Sequence, residues 1–234
     1  MKAVDISLRR RLFPNINEDG WKFISVLALV SIVLMMVWLP LGCISFLLTV
    51  WSFYCFRDPV RITPVLSDIV VAPADGLIVS ISREKGPDAL GLGNKNFTRV
   101  CIFSGLFDSH INRMPIKGKI SKTFYDAGKI FSGELQKNAL GNEKMLFAWR
   151  KENYDFAVQQ TALICNHRVI NRIKIGEELQ TGERFGSIRY GGYVDLFLPE
   201  KVEPQVCVGQ QMIAGETVVA NVKSDAPRME GEIR

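Results

Sequence analysis

Polar and apolar positions divide the chain near residue 57. From Trp21 to Phe56 the sequence WKFISVLALVSIVLMMVWLPLGCISFLLTVWSFYCF carries one charge, Lys22. As one straight helix this run would be about 50 Å long at about 1.5 Å per residue, against a bilayer core of about 30 Å. The stretch LPLG, Leu39 to Gly42, interrupts it near the middle, and proline and glycine break helices. The pattern therefore predicts two shorter helices forming a membrane hairpin over residues 21–56. The competing reading is a buried pair of core helices, but so long an uncharged stretch is rare in soluble domains. A cleaved signal peptide fits poorly, because the run is too long and no small-residue cleavage site follows it.

Beyond residue 57 the pattern changes to short runs rich in Val, Ile and Phe, bounded by Gly, Pro, Asn and Asp. They are DIVVA, GLIVSIS, TRVCIFS, GKISKTFY, MLFAWR, YDFAVQQ, YVDLFLP and ETVVANV. Such runs predict strands. The segment 57–234 is expected to be one mainly β domain, with a short helix near Gly133–Leu140. An internal echo sharpens this. IGEELQTGERFGSI begins at Ile175 and VGQQMIAGETVVAN at Val208, so that Gly176 and Gly182 match Gly209 and Gly215. Each reads as strand, glycine turn, apolar residue, second glycine turn, strand. Repeated units of this kind build flattened β-sandwiches or barrel-like folds with lipoyl-like hairpins. No lysine stands at a hairpin tip in the carrier acceptor sequence, so the echo speaks for architecture alone.

Charge and cysteine content narrow the class. The net charge is +5, part of it in the basic segment 1–20, with Lys2, Arg9, Arg10 and Arg11. No nucleic-acid-binding motif accompanies these residues, and a basic segment beside an apolar one suits anionic lipid. Arg57 and Arg61 follow the apolar run, so both flanks are basic. The positive-inside tendency then places both ends, and the β domain, on the cytoplasmic side of the membrane. Cys43, Cys55, Cys101, Cys165 and Cys207 are odd in number and form no C-x-x-C. They read as reduced, buried thiols. Two histidines, His110 and His167, are too few for a histidine-rich metal site, and no metal is expected.

Several motifs now resemble one family. FRDPVR (Phe56 to Arg61), APADGLIV (Ala72 to Val79), SHINRMP (Ser109 to Pro115), NEK (Asn142 to Lys144), TGERFGSIRYGGYVDLFLP (Thr181 to Pro199) and GQQMIAGETVVA (Gly209 to Ala220) are similar, in order, to the short bacterial form of phosphatidylserine decarboxylase. The apolar N-terminal hairpin fits that form too. The resemblance implies a proenzyme that cuts itself at a Gly-Ser bond. The serine hydroxyl attacks the preceding carbonyl, and elimination from the ester leaves a pyruvoyl group at the new chain end. That group serves as a self-derived cofactor for converting phosphatidylserine to phosphatidylethanolamine and carbon dioxide. The resemblance also implies roles. Asp75 matches the acid that promotes self-cleavage, His110 a histidine near the substrate that serves as proton donor, and Arg113 a partner for a lipid phosphate. Without the resemblance, Asp75-Gly76 reads as a hairpin turn and His110 as a structural histidine. Asn142 and Glu143 match family positions without an assigned mechanism.

At the junction the sequence departs from the family. Where the family has Arg-Phe/Tyr-Gly-Ser-Arg-Val-Asp, this chain has Arg189-Tyr190-Gly191-Gly192-Tyr193-Val194-Asp195. Gly192 occupies the position of the pyruvoyl-forming serine and has no Oγ, so the pyruvoyl is expected to be absent. Ser187, after Gly186, offers a second Gly-Ser pair. If the strand runs on to residue 192, Ser187 points to the opposite face and lies about 16 Å away. Asp108-Ser109, the stretch 126–133 and the stretch 160–166 depart from the family as well, which suits a drifted paralogue better than one engineered change. Two functions follow as expectations. One is a membrane phosphatidylserine decarboxylase of phospholipid biosynthesis. The other is a decarboxylase-like zymogen that never matures and binds anionic phospholipid, a second copy of itself or an active paralogue.

Overall fold

The computed structural model describes residues 15–16, 18–128, 142–163 and 168–223. The predicted helix near 133–140, His167, Cys165 and most of the basic start lie outside the described residues. The chain divides into two compact units, residues 1–60 and 61–234.

In the first unit, β1 (Asn15–Ile16) pairs antiparallel with β2 (Arg57–Asp58). Between them lie α1 (Glu18–Val37) and α2 (Leu39–Cys55). The break falls at Trp38, whose extended backbone caps α2, and Pro40 sits in the first turn of α2, where its missing N–H costs nothing. The prediction placed the interruption a little later, at Pro40–Gly42. The proline begins a helix here rather than ending one. At about 1.5 Å per residue, α1 is about 30 Å long and α2 about 26 Å. The segment Gly20–Val37 is long and apolar enough to cross a membrane.

Small and polar side chains join the two helices. Ser31 Oγ lies 2.8 Å from Ser45 Oγ and 3.0 Å from Thr49 Oγ1, and a Cβ on Gly42 would be 2.5 Å from the Cα of Met35. Gly42, Ser45, Thr49, Ser52 and Cys55 are buried, whereas Met36 is 83% exposed and Leu47 67%. A water-soluble hairpin would bury the large apolar side chains and expose the serines. The inverse arrangement, with small residues at the seam, is the one that packs helices in hydrocarbon.

The second unit is mainly β. It contains β3 (Ile69–Val71), β4 (Gly76–Lys85), β5 (Asn96–Ser104), β6 (Ile111–Arg113), β7 (Gly118–Asp126), β8 (Lys144–Lys151), β9 (Tyr154–Ala162), β10 (Val169–Asn171), β11 (Glu178–Leu179), β12 (Arg184–Ile188), β13 (Gly192–Pro199), β14 (Gln211–Met212) and β15 (Val218–Asn221). Eight strands form one curled sheet in the order β11-β7-β8-β9-β13-β5-β4-β14. Two smaller sheets, β10-β12-β6 and β15-β3, accompany it. Every predicted strand run is present, and β6, β10, β11, β12 and β14 are additional to those eight runs. The core gathers Phe147, Trp149, Phe156 and Phe185, with the Phe147 and Phe185 rings edge to face at 4.8 Å. Of the cysteines expected to be buried, Cys55 and Cys101 are. Cys43 is exposed on α2 and Cys207 is only partly covered, because each lies outside the packed seam or core.

The internal echo is structural. Gly176, Gly182, Gly209 and Gly215 have φ of +89°, +80°, +88° and +76°, which favours glycine at all four turns. Gly176 N donates to Ile120 O at 2.9 Å, and Gly209 N donates to Ile78 O at 2.8 Å. The pair β11-β12 thus embraces β6-β7 as β14-β15 embraces β3-β4. This is the lipoyl-like hairpin pattern, and it sets Asp75 at the mouth of β4.

Candidate functional site: the glycine junction

The junction lies at one end of the large sheet. β13 begins at Gly192, which pairs with Ser104 at the end of β5 and with Ala162 at the end of β9. Asp75 immediately precedes β4, whose Leu77 pairs with Phe103 of β5. The antiparallel register therefore brings four strand ends from distant parts of the chain to one place.

The strand does not run on from Ser187 to residue 192, so the condition for that reckoning is not met. β12 and β13 belong to different sheets, and a tight turn separates them. Tyr190 has φ +63° and Gly191 +84°, and Gly191 N donates to Ile188 O at 3.4 Å. Consecutive left-handed residues reverse the chain, so the parity and distance reckoned for a continuous strand do not apply. Ser187 is instead held in a ladder on both sides, opposite Ile170 of β10 and Ile111 of β6, and it is buried.

Gly191 and Gly192 are both enclosed by backbone. A Cβ on Gly191 would lie 2.3 Å from Ser104 O. A Cβ on Gly192 would lie 2.4 Å from Thr161 O and 3.1 Å from Ile188 Cγ2. Contacts this short to a carbonyl oxygen demand a backbone shift. Position 192 thus lacks the serine oxygen and also lacks room for the carbon that would carry it. The residues present do not fit a pyruvoyl group at this position.

The acid and the histidine stand beside this turn. Asp75 is buried; its Oδ2 accepts from Arg61 Nη2 at 2.5 Å and its Oδ1 from the amide of Ala214 at 2.7 Å. The amide of Ser109, next to His110, also donates to Asp75. Burial pushes the Asp75 carboxyl above the ordinary aspartate range, although Arg61 and the two amides pull the other way, and Asp108 adds to the upward push. Asp108 closes the turn Gly105–Asp108, accepting from Gly105 N at 2.8 Å. An asparagine there would make the same bond without adding a negative charge. His110 is buried, with Nε2 3.2 Å from Gly105 O, and its backbone carbonyl accepts from Ile188 N at 3.0 Å. Asp75, His110 and the Gly191-Gly192 turn are therefore linked through single hydrogen-bonded steps. Arg113 is placed differently. It is buried, and its Nη1 donates to Gly182 O at 3.1 Å, so this arm of the guanidinium is turned to a glycine turn of the echo.

Three participants escaped sequence reasoning. Arg61 lay in the quoted FRDPVR motif, but only as a basic flank; its ion pair with Asp75 spans a loop that no local pattern reveals. Ser104 is buried opposite Gly192, and its Oγ has no hydrogen-bond partner among the described residues. Glu143, in the NEK motif, proves to be a clamp. Its Oε2 accepts from the amides of Arg168 at 2.8 Å and Val169 at 3.2 Å, and its Oε1 accepts from Tyr125 Oη at 2.7 Å. Arg168 O in turn accepts from Arg189 N at 2.9 Å, at the junction. The Glu143 carbonyl holds Ala162 N at 3.0 Å, the residue opposite Gly192. Among the described residues, no group of three or more His, Cys, Asp or Glu could hold a metal ion.

Comparison with known proteins agrees with this geometry. A family model described as phosphatidylserine decarboxylase matches residues 48–220. The chain is 43% identical over 219 residues to the phosphatidylserine decarboxylase proenzyme of Cereibacter sphaeroides, covering 93% of this chain and 94% of that protein. It is 38% identical over 235 residues to the proenzyme of the same name from Paramagnetospirillum magneticum, covering 100% and 98%. It is 39% identical over 219 residues to that of Ruegeria pomeroyi, covering 93% and 100%. With the motifs in order, the strand ends gathered around Asp75 and His110, and the likeness spanning nearly its whole length, the chain belongs to the phosphatidylserine decarboxylase family.

Proposed function

We propose that this chain is a membrane-anchored phosphatidylserine decarboxylase-like zymogen that stays uncut, carries no pyruvoyl group and serves phospholipid biosynthesis by binding rather than by decarboxylation. The observation that carries this reading is Gly192, with Thr161 O standing where a side chain would begin. Asp75 and His110 keep the positions of the family's acid and histidine, so the nucleophile is lost while the frame around it persists. The α1–α2 hairpin, small and polar at its seam and apolar outside, supports anchoring in the membrane. The basic flanks Arg9 to Arg11, Arg57 and Arg61 favour the cytoplasmic side for the β domain.

In this reading the chain holds anionic phospholipid, phosphatidylserine first, or pairs with a second copy or with an active paralogue. A role for Arg113 at a lipid phosphate requires its Nη1 to leave Gly182 O or a different N–H to do the pairing. Active decarboxylation is the rival function, supported by what the relatives are named. Expression in a host stripped of its own decarboxylase separates the two. The chain is expected to leave phosphatidylserine unconverted, whereas phosphatidylethanolamine formation with release of carbon dioxide would overturn the proposal.

A further inference from the structure

Arginines that brace the second unit meet carboxylates: Arg61 meets Asp75, Arg83 Glu203, Arg99 Glu84 and Arg150 Asp155. Arg168 and Arg189 differ. Neither guanidinium makes an ion pair among the described residues, and Arg189 Nε is buried without a hydrogen-bond partner.

The two stand opposite one another. Arg189 N donates to Arg168 O at 2.9 Å, which extends the β10–β12 ladder one step beyond Val169 and Ile188. Residues opposite one another in an antiparallel ladder have Cβ atoms about 4.5–5.5 Å apart, and their side chains leave on the same face. Like charges so placed destabilise the ladder. Glu143 does not relieve this. Its Oε2 accepts from the amides of Arg168 and Val169 and its Oε1 from Tyr125 Oη, so it holds backbone rather than either guanidinium. The Arg168 guanidinium lies instead over the Tyr190 ring, 5.2 Å from its centroid. An anion between the two arginines would turn a repulsive pair into a binding one.

The place of the pair suits such a ligand. Arg189 is three residues before Gly192, and the neighbouring Ile188 N donates to His110 O at 3.0 Å. Both arginines are only partly buried. Arg113, the sequence candidate for a lipid phosphate, has Nη1 on Gly182 O.

We propose that Arg168 and Arg189 form a two-armed clamp for a phosphate-type anion at the rim of the glycine junction. Two guanidinium forks from opposite strands suit a tetrahedral phosphate, whose oxygens diverge, whereas a planar carboxylate fills one fork. The phosphodiester of a phospholipid headgroup and free phosphate share this chemistry. The inference rests on the reading that the chain binds anionic phospholipid, and it gives the phosphate of that lipid two named partners.

The test uses the purified full chain in detergent, titrated calorimetrically at fixed ionic strength. The probes are dihexanoyl phosphatidylserine, inorganic phosphate, and dihexanoylglycerol, which has no phosphate. Phosphatidylserine is expected to bind and dihexanoylglycerol is not. Arg168→Gln and Arg189→Gln should each weaken phosphatidylserine binding about tenfold, and Arg168→Lys and Arg189→Lys, which keep the charge but lose the fork, several-fold. Without ligand, Arg189→Gln should melt no lower than the unaltered chain, because it removes one of two like charges. Glutamine variants that bind phosphatidylserine as tightly as the unaltered chain overturn the clamp and leave lipid binding standing. A melting point several degrees lower in Arg189→Gln, with binding unchanged in Arg189→Lys, marks a structural arginine and also overturns the clamp. Arginine-dependent binding of inorganic phosphate without binding of phosphatidylserine upholds the clamp and defeats the lipid-binding reading. Binding of neither probe defeats both.

Discussion

A Cβ on Gly192 would lie 2.4 Å from the carbonyl oxygen of Thr161, the strand neighbour that stands opposite Tyr193. The junction has therefore closed over the space a serine would need. Restoring the hydroxyl restores only one of the things self-cleavage requires. Gly192→Ser is expected to cut slowly or not at all, since misplacing reacting atoms by about 1 Å can cost about a hundredfold. Gly192→Ala, which adds the Cβ without the hydroxyl, should lose about the same stability as the serine variant, about 1–3 kcal/mol for overpacking. Thermal unfolding in detergent and a cleavage time course together check this.

Tyr193 helps hold that closed register. Its ring packs on Phe103 at 5.2 Å between centroids. Removing the aromatic pair should loosen β13 against β5 and let it shift away from Thr161 of β9, and an arginine also returns the family's residue. Gly192→Ser with Tyr193→Arg is therefore expected to cut faster than Gly192→Ser alone. Fast, complete cutting by the single variant would contradict the packing argument.

Glu143 braces the junction from two sides, through Arg168 to Arg189 and through Ala162 to Gly192. Glu143→Ala leaves the Arg168 and Val169 amides without their carboxylate and should cost about 1–3 kcal/mol. Amide exchange across residues 186–194 should quicken more than across β4, which Glu143 does not touch, and this is measurable by mass spectrometry. Equal change in both would mark Glu143 as a general core residue.

Tyr125 reports on the same clamp through pH. Its bond to Glu143, then burial and the nearby carboxylates, push the phenol up to about 12. A folded-state value above the unfolded one means stability that is present below about 10, the ordinary tyrosine value, and lost as pH rises toward about 12. Phenolate absorbance should show one tyrosine titrating late, and Glu143→Gln should bring it back toward the ordinary value.

Asp75 and Arg61 are both largely shielded from water, so removing either leaves a charge without its partner. Asp75→Ala is expected to cost about 3 kcal/mol, the scale for breaking a buried pair. The double replacement Asp75→Ala with Arg61→Met should recover much of that loss. A double variant no more stable than the single one would contradict the pairing.

Much of this was legible in the sequence because the signals were local. Val, Ile and Phe runs between glycines gave strands, LPLG gave a hairpin, and the Gly176/Gly182 and Gly209/Gly215 echo gave the paired turns. What escaped notice was non-local or conformational. The turn at Tyr190–Gly191 depends on two positive φ values, and Tyr190 gives no warning of its own. The clamp by Glu143 joins residues 25 apart in sequence, and Arg61 reaches Asp75 across a loop. That Thr161 fills the space beside Gly192 follows from strand register, which a sequence pattern does not display.

The central claim is that this family member stays whole, and the intact mass of the purified protein tests it most directly. The account predicts a single chain of 26.3 kDa. Two chains, the smaller of about 5 kDa and beginning with a ketone-blocked residue as a pyruvoyl end requires, would contradict it.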